Sequence, residues 1–334
     1  MARRISTPRR DIIVVGASAG GLEALTTLIG GLPSELDVAI LIVVHVGPEA
    51  RSVLARILQR CTPFRVTTPD DGDPLNRGHI YVSRPDHHLL LEPGRVHVTR
   101  GPRENRSRPA VDALFRSAAY AYGSRVIGVV LSGAMDDGTA GLWWVKERGG
   151  AAVVQDPKEA AHPSMPRSAM QHVAVDHVVS TKAMAPLLLR LSREAVKQTQ
   201  GAVSKELRVE TAIAKEGRAF QLGVMELGPV TPFTCPECHG VLVQLMGGGV
   251  TRYRCQTGHA FTTTSLLAEV AQGMEDTLWS SIRVLEESVM LMRQMARQAR
   301  ERKDAKSARL LEKKAKEAQQ RADVVRAATL EHPV

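Results

Sequence analysis

A chain of 334 residues with 43% hydrophobic content can hold two domains and a sizeable core, and no run in it approaches the ~18 to 20 apolar residues of a membrane span. The net charge of +9 suggests an acidic partner until it is located: Arg283 to Arg326 carry thirteen Lys/Arg against seven Asp/Glu, and the first ten residues add four arginines and no acid. The body between is close to neutral and the basic tail has no interleaved aromatics, so that tail reads as a solvated helix face rather than a nucleic-acid surface; the start, "MARRISTPRR", lacks the apolar stretch of a secretory signal, so a cytoplasmic protein is expected.

From Asp11 to about Leu191, β-branched runs alternate with helical patterns. The strand candidates are "DIIVVG", "VAILIVVHV", "HIYVS", "RVIGVVLSG" and "GAAVVQD". Near-continuous Val/Ile runs mark strands buried on both faces, as in a parallel sheet covered by helices. "AGGLEALTTLIGGL", "EARSVLARILQRC", "PAVDALFRSAAYAYG" and "GTAGLWWVKERGG" supply the helices. The expectation is a doubly wound, mostly parallel α/β domain, with "HLLLEPGRVHVTRG" added to the sheet as an antiparallel hairpin turning at Pro93-Gly94. "GAVSKELRVETAIAKEG" reads as a linker with a short helix. A cysteine-rich unit follows, and then two apolar seams: Leu278, Ile282, Leu285, Val289, Met292, Ala296 and Ala299, and, out of phase, Ala308, Leu311, Ala315, Ala318, Ala322 and Val325. The break at "ERKDAKS" makes them a hairpin of two helices or a discontinuity in one long helix, and such seams can also serve self-association. The expected segments are 11–195, 196–230, 231–263 and 264–330.

The strand-to-helix turn Gly16-Ala17-Ser18-Ala19-Gly20-Gly21 can be read in two ways. As a dinucleotide fingerprint it puts Ser18 where a glycine should let the pyrophosphate approach, and His45 ends the second strand where an acidic residue should hold the ribose. No nucleotide cofactor is therefore expected. As G-x-S-x-G it projects a serine above the sheet. In a parallel sheet the carboxyl ends of neighbouring strands converge on one crevice, so Ser18 and His45 can meet, and "RVIGVVLSGAMDDG" delivers Asp136 and Asp137 where its apolar run stops. An unactivated hydroxyl needs a base, and the base needs a carboxylate to fix its tautomer. The backbone N–H groups of Ala19 and Gly20, at the helix start, are the candidate oxyanion donors. The chain order Ser, His, Asp is not that of the α/β-hydrolases.

The run "IIVVGASAGGLEAL", then "VVHVGPE", "GHIYVSRPDHHLLLEPGRV", "NRSRPAVDALFRSAA", "VVLSGAMDDGTAG" and "VVQDPKEAAHPSMPRSAM", resembles the catalytic domain of the CheB-type chemotaxis protein-glutamate methylesterases over residues 11 to 192. The resemblance implies hydrolysis of glutamyl methyl esters on chemoreceptors, and often deamidation of receptor glutamines, without a catalytic cofactor. Carried over by motif, Ser18 is the nucleophile, His45 the general base, and Asp137, the aspartate before the glycine, orients the histidine, with Asp136 its rival. Two departures stand out. The family's block reads more like G-M-G-x-D-G, so Ala134 and Met135 replace a methionine and a glycine. Family members also commonly carry a phosphorylatable receiver domain, for which ten residues leave no room, so control by phosphorylation within this chain is expected to be absent.

Cys235, Cys238, Cys255 and His259 are spaced C-x2-C-x16-C-x3-H. Two knuckles of this spacing close one tetrahedral site with no open position, so a structural zinc is expected, with His239 competing with His259 as ligand. The unit and its trailing helices resemble C-terminal extensions of some stand-alone methylesterase homologues. A rival functional reading is a catalytically idle adaptor that binds a partner through the cysteine unit and helices.

Overall fold

The computed structural model describes residues 8–50, 53–197 and 201–331. Most of the arginine-rich start, and Arg51-Ser52 within the second expected helix, lie outside them. In chain order the elements begin with β1 (Ile12–Ala17), α1 (Gly21–Gly30), β2 (Ala39–Val44), α2 (Leu54–Gln59), β3 (Arg65–Thr67), β4 (His79–Val82), β5 (His88–Glu92) and β6 (Arg95–Thr99). They continue with α3 (Val111–Tyr122), β7 (Val126–Val130), α4 (Thr139–Glu147), β8 (Ala151–Gln155), α5 (Ser164–His172), β9 (His177–Val179) and α6 (Thr181–Arg193). After α7 (Lys205–Glu216) come β10 (Val230–Thr234), β11 (Val241–Leu245), β12 (Arg252–Cys255) and β13 (Ala260–Thr262), then α8 (Thr263–Glu301) and α9 (Ala305–Glu331).

Seven strands form one sheet in the order β3-β4-β2-β1-β7-β8-β9, every pair parallel. The five expected strands are its middle; the two edge strands are three residues each, too short to show a pattern. Alternate residues of β1 face opposite layers. Ile13, Val15 and Ala17 pack with α1, α2 and α6, while Ile12 and Val14 pack with α3, α4 and α5. The hairpin β5-β6 is present but is a two-stranded sheet of its own, not hydrogen-bonded to the main one. Leu89 and Leu91 lie with Phe115 and Ala118 of α3 in one apolar cluster. The doubly wound order reverses at β1, with β2 on one side and β7 on the other, and at such a switch point the loops splay apart to leave a crevice.

The segment expected to be a linker with a short helix does hold that helix, α7, and packs it tightly. Ser204 caps α7 by accepting from the Leu207 amide, and Leu207, Glu210, Ile213 and Ala214 are all fully buried. Charge holds it there. Glu206 and Glu210 of α7 pair with Arg252 of β12 at 2.6 and 2.8 Å, and Arg254 bridges Glu210 at 2.9 Å to Glu104 at 3.0 Å. Glu104 also meets Arg116 of α3 at 2.6 Å. Three carboxylates and three guanidiniums thus join the α/β layers, α7 and the four-stranded sheet β10-β11-β12-β13, and residues up to Leu266 form one compact unit.

Residues from Leu267 form a second unit. Within it the two expected seams meet each other. Ile282, Val289 and Ala296 of α8, and Ala308, Ala315 and Ala322 of α9, are buried at seven-residue spacing. Ion pairs Arg300–Glu312 and Arg326–Glu286 run in opposite senses along the two helices, so the pair is an antiparallel hairpin. It turns at 302–304, where Lys303 takes a φ of 61°.

Candidate active site

β1 ends at Ala17, and Ser18 opens the turn into α1, its amide donating to the Ser132 carbonyl at 2.9 Å. Gly20 closes the turn at φ 69°, a left-handed conformation that costs glycine nothing. A Cβ at Gly20 would also sit 2.7 Å from that of Ala161, so the close neighbours of this glycine are the chain's own. The N–H groups of Ala19 and Gly20 have no protein acceptor among the described residues. They lie at the N-terminus of α1, where unpaired amides and the positive end of the helix dipole coincide.

His45 follows β2, the strand beside β1, and its amide bonds to the Ala17 carbonyl at 3.2 Å. Its Nδ1 lies 3.2 Å from Ser18 Oγ and its Nε2 2.7 Å from Asp137 Oδ2. The carboxylate accepts, so the neutral ring carries its proton on Nε2 and leaves Nδ1 free to accept from the serine hydroxyl.

Asp137 is 2% exposed, and burial alone would push its carboxyl up. The hydrogen bond and charge of His45, with Asn105 Nδ2 at 3.0 Å and the Val111 amide at 2.7 Å, instead hold it below the ordinary aspartate value. The amides of Asp112 and Gly138 donate as well, at 3.1 and 3.0 Å. Two of these donors are the first amides of α3, whose own N-cap position, Ala110, offers no side-chain acceptor. Asp137 therefore caps α3 from the loop between β7 and α4, and the helix N-terminus stabilises its charge. Gly16 makes this possible: a Cβ there would fall 2.2 Å from Val111 Cγ1 and force α3 off β1.

The neighbouring Asp136 turns the other way. It accepts from Thr262 Oγ1 at 2.9 Å, and burial pushes its carboxyl up. Of the two candidate aspartates, Asp137 is the one beside His45. Asp112 is fully buried, its carboxyl pushed well up by burial and by the charge of Asp137. Ser18, His45, Met135 and Asp137 line a cleft of about 220 Å³, together with Asn105 and Ser265, which the sequence reading did not single out. Asn105 looks there like a turn residue in a charged loop, and Ser265 like the start of a helix. Met135, where the family pattern has glycine, holds a φ of 61°.

The cysteines and His259 form a separate cluster, with all four ligand atoms within 4.8 Å of one another. Cys235 Sγ to His259 Nδ1 is 3.7 Å, Cys255 Sγ to the same nitrogen 3.6 Å, and Cys238 Sγ to Cys255 Sγ 3.6 Å. Metal–sulfur bonds of ~2.3 Å and metal–nitrogen bonds of ~2.0 Å, set tetrahedrally, give edges of about 3.5 to 3.8 Å, so the donor set could hold a metal ion. Behind it, Glu237 lies 3.3 Å from His259 Nε2, as a carboxylate orienting a ligating histidine does. His239 is exposed, at φ 59°, and is not in the cluster.

The family model for the CheB methylesterase matches residues 13–188. A Leptospira interrogans protein provisionally named protein-glutamate methylesterase/protein-glutamine glutaminase is 39% identical over 189 residues, which are 56% of this chain and 98% of that protein. A Methanosarcina mazei protein-glutamate methylesterase/protein-glutamine glutaminase is 33% identical over 198 residues, 57% of this chain and 54% of that protein, so this chain spans about half of its length. The crystal structure of the Thermotoga maritima CheB methylesterase catalytic domain superposes with a TM-score of 0.52 at 30% identity, covering 55% of this chain and 99% of that one. With its α/β layers matched end to end, the chain belongs to the CheB methylesterase family of enzymes.

Proposed function

We propose that this protein hydrolyses glutamyl methyl esters on chemoreceptor-type proteins, and deamidates glutamines on them, through Ser18, His45 and Asp137. The observation that carries the reading is the unbroken hydrogen-bond sequence from the Ser18 hydroxyl through both ring nitrogens of His45 to Asp137.

Ser18 Oγ attacks the ester carbonyl while His45 Nδ1 takes its proton, and the imidazolium that forms is stabilised by Asp137 across Nε2. The oxyanion forms against the Ala19 and Gly20 amides, which need no reorganisation to receive it. His45 then gives the proton to departing methanol, and water enters by the same route in reverse to release the glutamate. An amide leaves less readily, so glutamine depends more on protonation by His45. The Cys235, Cys238, Cys255 and His259 cluster is read as a structural zinc site, which supplies folding energy and takes no part in the reaction. A cytoplasmic setting belongs to the same reading, and no helix among the described residues is long and apolar enough to cross a membrane.

The test is methanol release from methylated chemoreceptor membranes by wild type and by Ser18→Ala, His45→Ala and Asp137→Ala. Each change is expected to cost roughly 10³-fold or more in kcat, and the triple variant about as much as Ser18→Ala alone, because the residues act as a unit. Full turnover by a folded Ser18→Ala protein would sink the proposal. For the cluster, one zinc per chain in elemental analysis, lost in Cys238→Ser, is expected.

A further inference from the structure

We propose that Asn105 is a positioning residue for the Asp137–His45 pair, and that the cysteine-bearing unit completes the active site by holding Asn105 in place. The inference rests on the esterase reading above and deepens it.

Asn105 spends its side chain on both sides of this junction. Its Nδ2 donates to Asp137 Oδ1 at 3.0 Å and to Asp112 Oδ2 at 2.9 Å. Its Oδ1 accepts from the Thr262 amide at 3.0 Å and from Ser265 Oγ at 3.2 Å. Turned over, the amide would aim its oxygen at two carboxylates and its nitrogen at an N–H, so the orientation is fixed by its neighbours. The backbone is held by the same unit. The Ala260 amide donates to the Arg103 carbonyl at 3.1 Å, and the Asn105 amide to the Ala260 carbonyl at 2.8 Å. Residues 103–105 thus add a short parallel rung to the free edge of β13, which opens directly after His259. The adjacent Glu104 fastens the loop a second time, to Arg254 of β12 and Arg116 of α3.

Asn105 and Arg106 both take left-handed backbone, with φ of 50° and 69°. Asn tolerates that conformation through its short polar side chain, and two successive left-handed non-glycine residues persist only where their surroundings demand it. Asp112 and Asp137 are buried side by side, and a donor shared between them favours ionised Asp137, the form that stabilises an imidazolium. A ligand residue of the metal cluster is therefore linked to the general base through Ala260, Asn105 and Asp137.

The experiment compares methanol release from methylated chemoreceptor membranes by wild type, Asn105→Ala, Asn105→Asp, Ser265→Ala and Ser18→Ala, reading kcat, KM, the pH profile and urea unfolding. Asn105→Ala should lower kcat roughly 10- to 100-fold, the range seen when an outer hydrogen bond to a functional ligand is lost, with KM little changed. Without its Nδ2 donor Asp137 titrates higher, so the acid limb of the profile moves to higher pH. Asn105→Asp is isosteric but faces two carboxylates with a third, so it should be worse than Ala; a purely steric role predicts the opposite ranking. Ser265→Ala, which keeps the Thr262 donor, should move the acid limb the same way by less. Chelating the wild type should reproduce the shift and add little to Asn105→Ala, as coupled perturbations do.

Wild-type kcat and an unmoved acid limb in a folded Asn105→Ala protein, with Ser18→Ala inactive, overturn the inference and leave the esterase reading intact; activity in Ser18→Ala removes both. If Asn105→Ala gives no cooperative unfolding, Ser265→Ala decides, and an unmoved acid limb there overturns the proposal.

Discussion

Two regions of this molecule bury carboxylates completely and keep them ionised by opposite means. In the cleft, Asp137 is surrounded by backbone amides, the Asn105 amide and one imidazole. At the junction of α7 with β12, Glu210 is clasped by Arg252 at 2.8 Å and Arg254 at 2.9 Å, with Arg116 at 3.9 Å. Burial raises both carboxyls, and the partners outweigh it in both, leaving each below its ordinary value. The difference is what remains of the charge. Dipoles stabilise Asp137 without neutralising it, so in the proposed mechanism its charge is available to a protonated His45. Glu210 is already matched by fixed cations and serves to hold modules together.

The sharpest way to break the comparison is to neutralise each carboxylate in turn. Asp137→Asn keeps the shape but presents an amide that favours the wrong imidazole tautomer, so kcat should fall by about 10⁴, read as methanol release. Unfolding should shift less, since an amide oxygen at the Oδ1 position still accepts from the Asp112 and Gly138 amides and only the Val111 amide loses its acceptor. Glu210→Ala should do the reverse. It leaves three buried guanidiniums to share Glu206 and Glu104 and should cost up to about 3 to 5 kcal/mol in urea unfolding, with kcat changed only as far as the loop at 103–105 loosens. If the two variants lose stability alike, the division between a working charge and a clamping charge is wrong.

Acid should separate the regions next. Glu104 and Glu210 are both held below the ordinary glutamate value: burial raises them, and the arginine charges prevail. Their stabilisation is fully present above the unfolded value of ~4.3 and is lost as pH falls through the folded values. Asp112 works the opposite way. Its raised carboxyl favours the folded state at low pH, a contribution lost as pH rises from the unfolded value of ~3.9 through the folded one. Asp136 and Glu206 are raised like Asp112, but Asp71, Asp86, Glu92, Asp137, Glu226 and Asp304 are lowered like the two glutamates, so the urea midpoint should fall between pH 6 and pH 3, and Glu210→Ala should flatten that slope.

The cleft was far more legible in the sequence than the junction, and the reason is geometric. Parallel strands converge, so Ser18 and His45 could be brought together from the ends of their apolar runs alone. The choice between Asp136 and Asp137 needed the family's motif, because neighbouring residues at a strand end point to different partners. Asn105 escaped notice because its acceptors and donors are up to 160 residues away and nothing local marks it as more than a turn. The segment of α7 reads in sequence as a linker with a short helix because its pattern weakens after Gln200, and the partners of Glu206 and Glu210, Arg252 and Arg254, arrive only from β12. The two outer strands were missed for want of length, and the hairpin's place in a sheet of its own depends on packing against α3, which its sequence does not record.

The smallest effect concerns the cleft wall, where the sequence departs from its family. Met135 sits at φ 61°, and a side chain there crowds the following carbonyl at a cost of about 1 to 2 kcal/mol. Glycine at that position would relieve the strain but lose about 0.5 to 1 kcal/mol more chain entropy on folding. Met135 is only half-buried, so little packing offsets the balance. Met135→Gly should therefore stabilise the protein by about 0 to 1.5 kcal/mol, raising the urea midpoint slightly, and should leave the Asp137 hydrogen bonds untouched. A clear loss of stability would mean that the methionine side chain braces the turn leading into Asp137, and the strained backbone would then belong to the same preorganisation as the carboxylate it precedes.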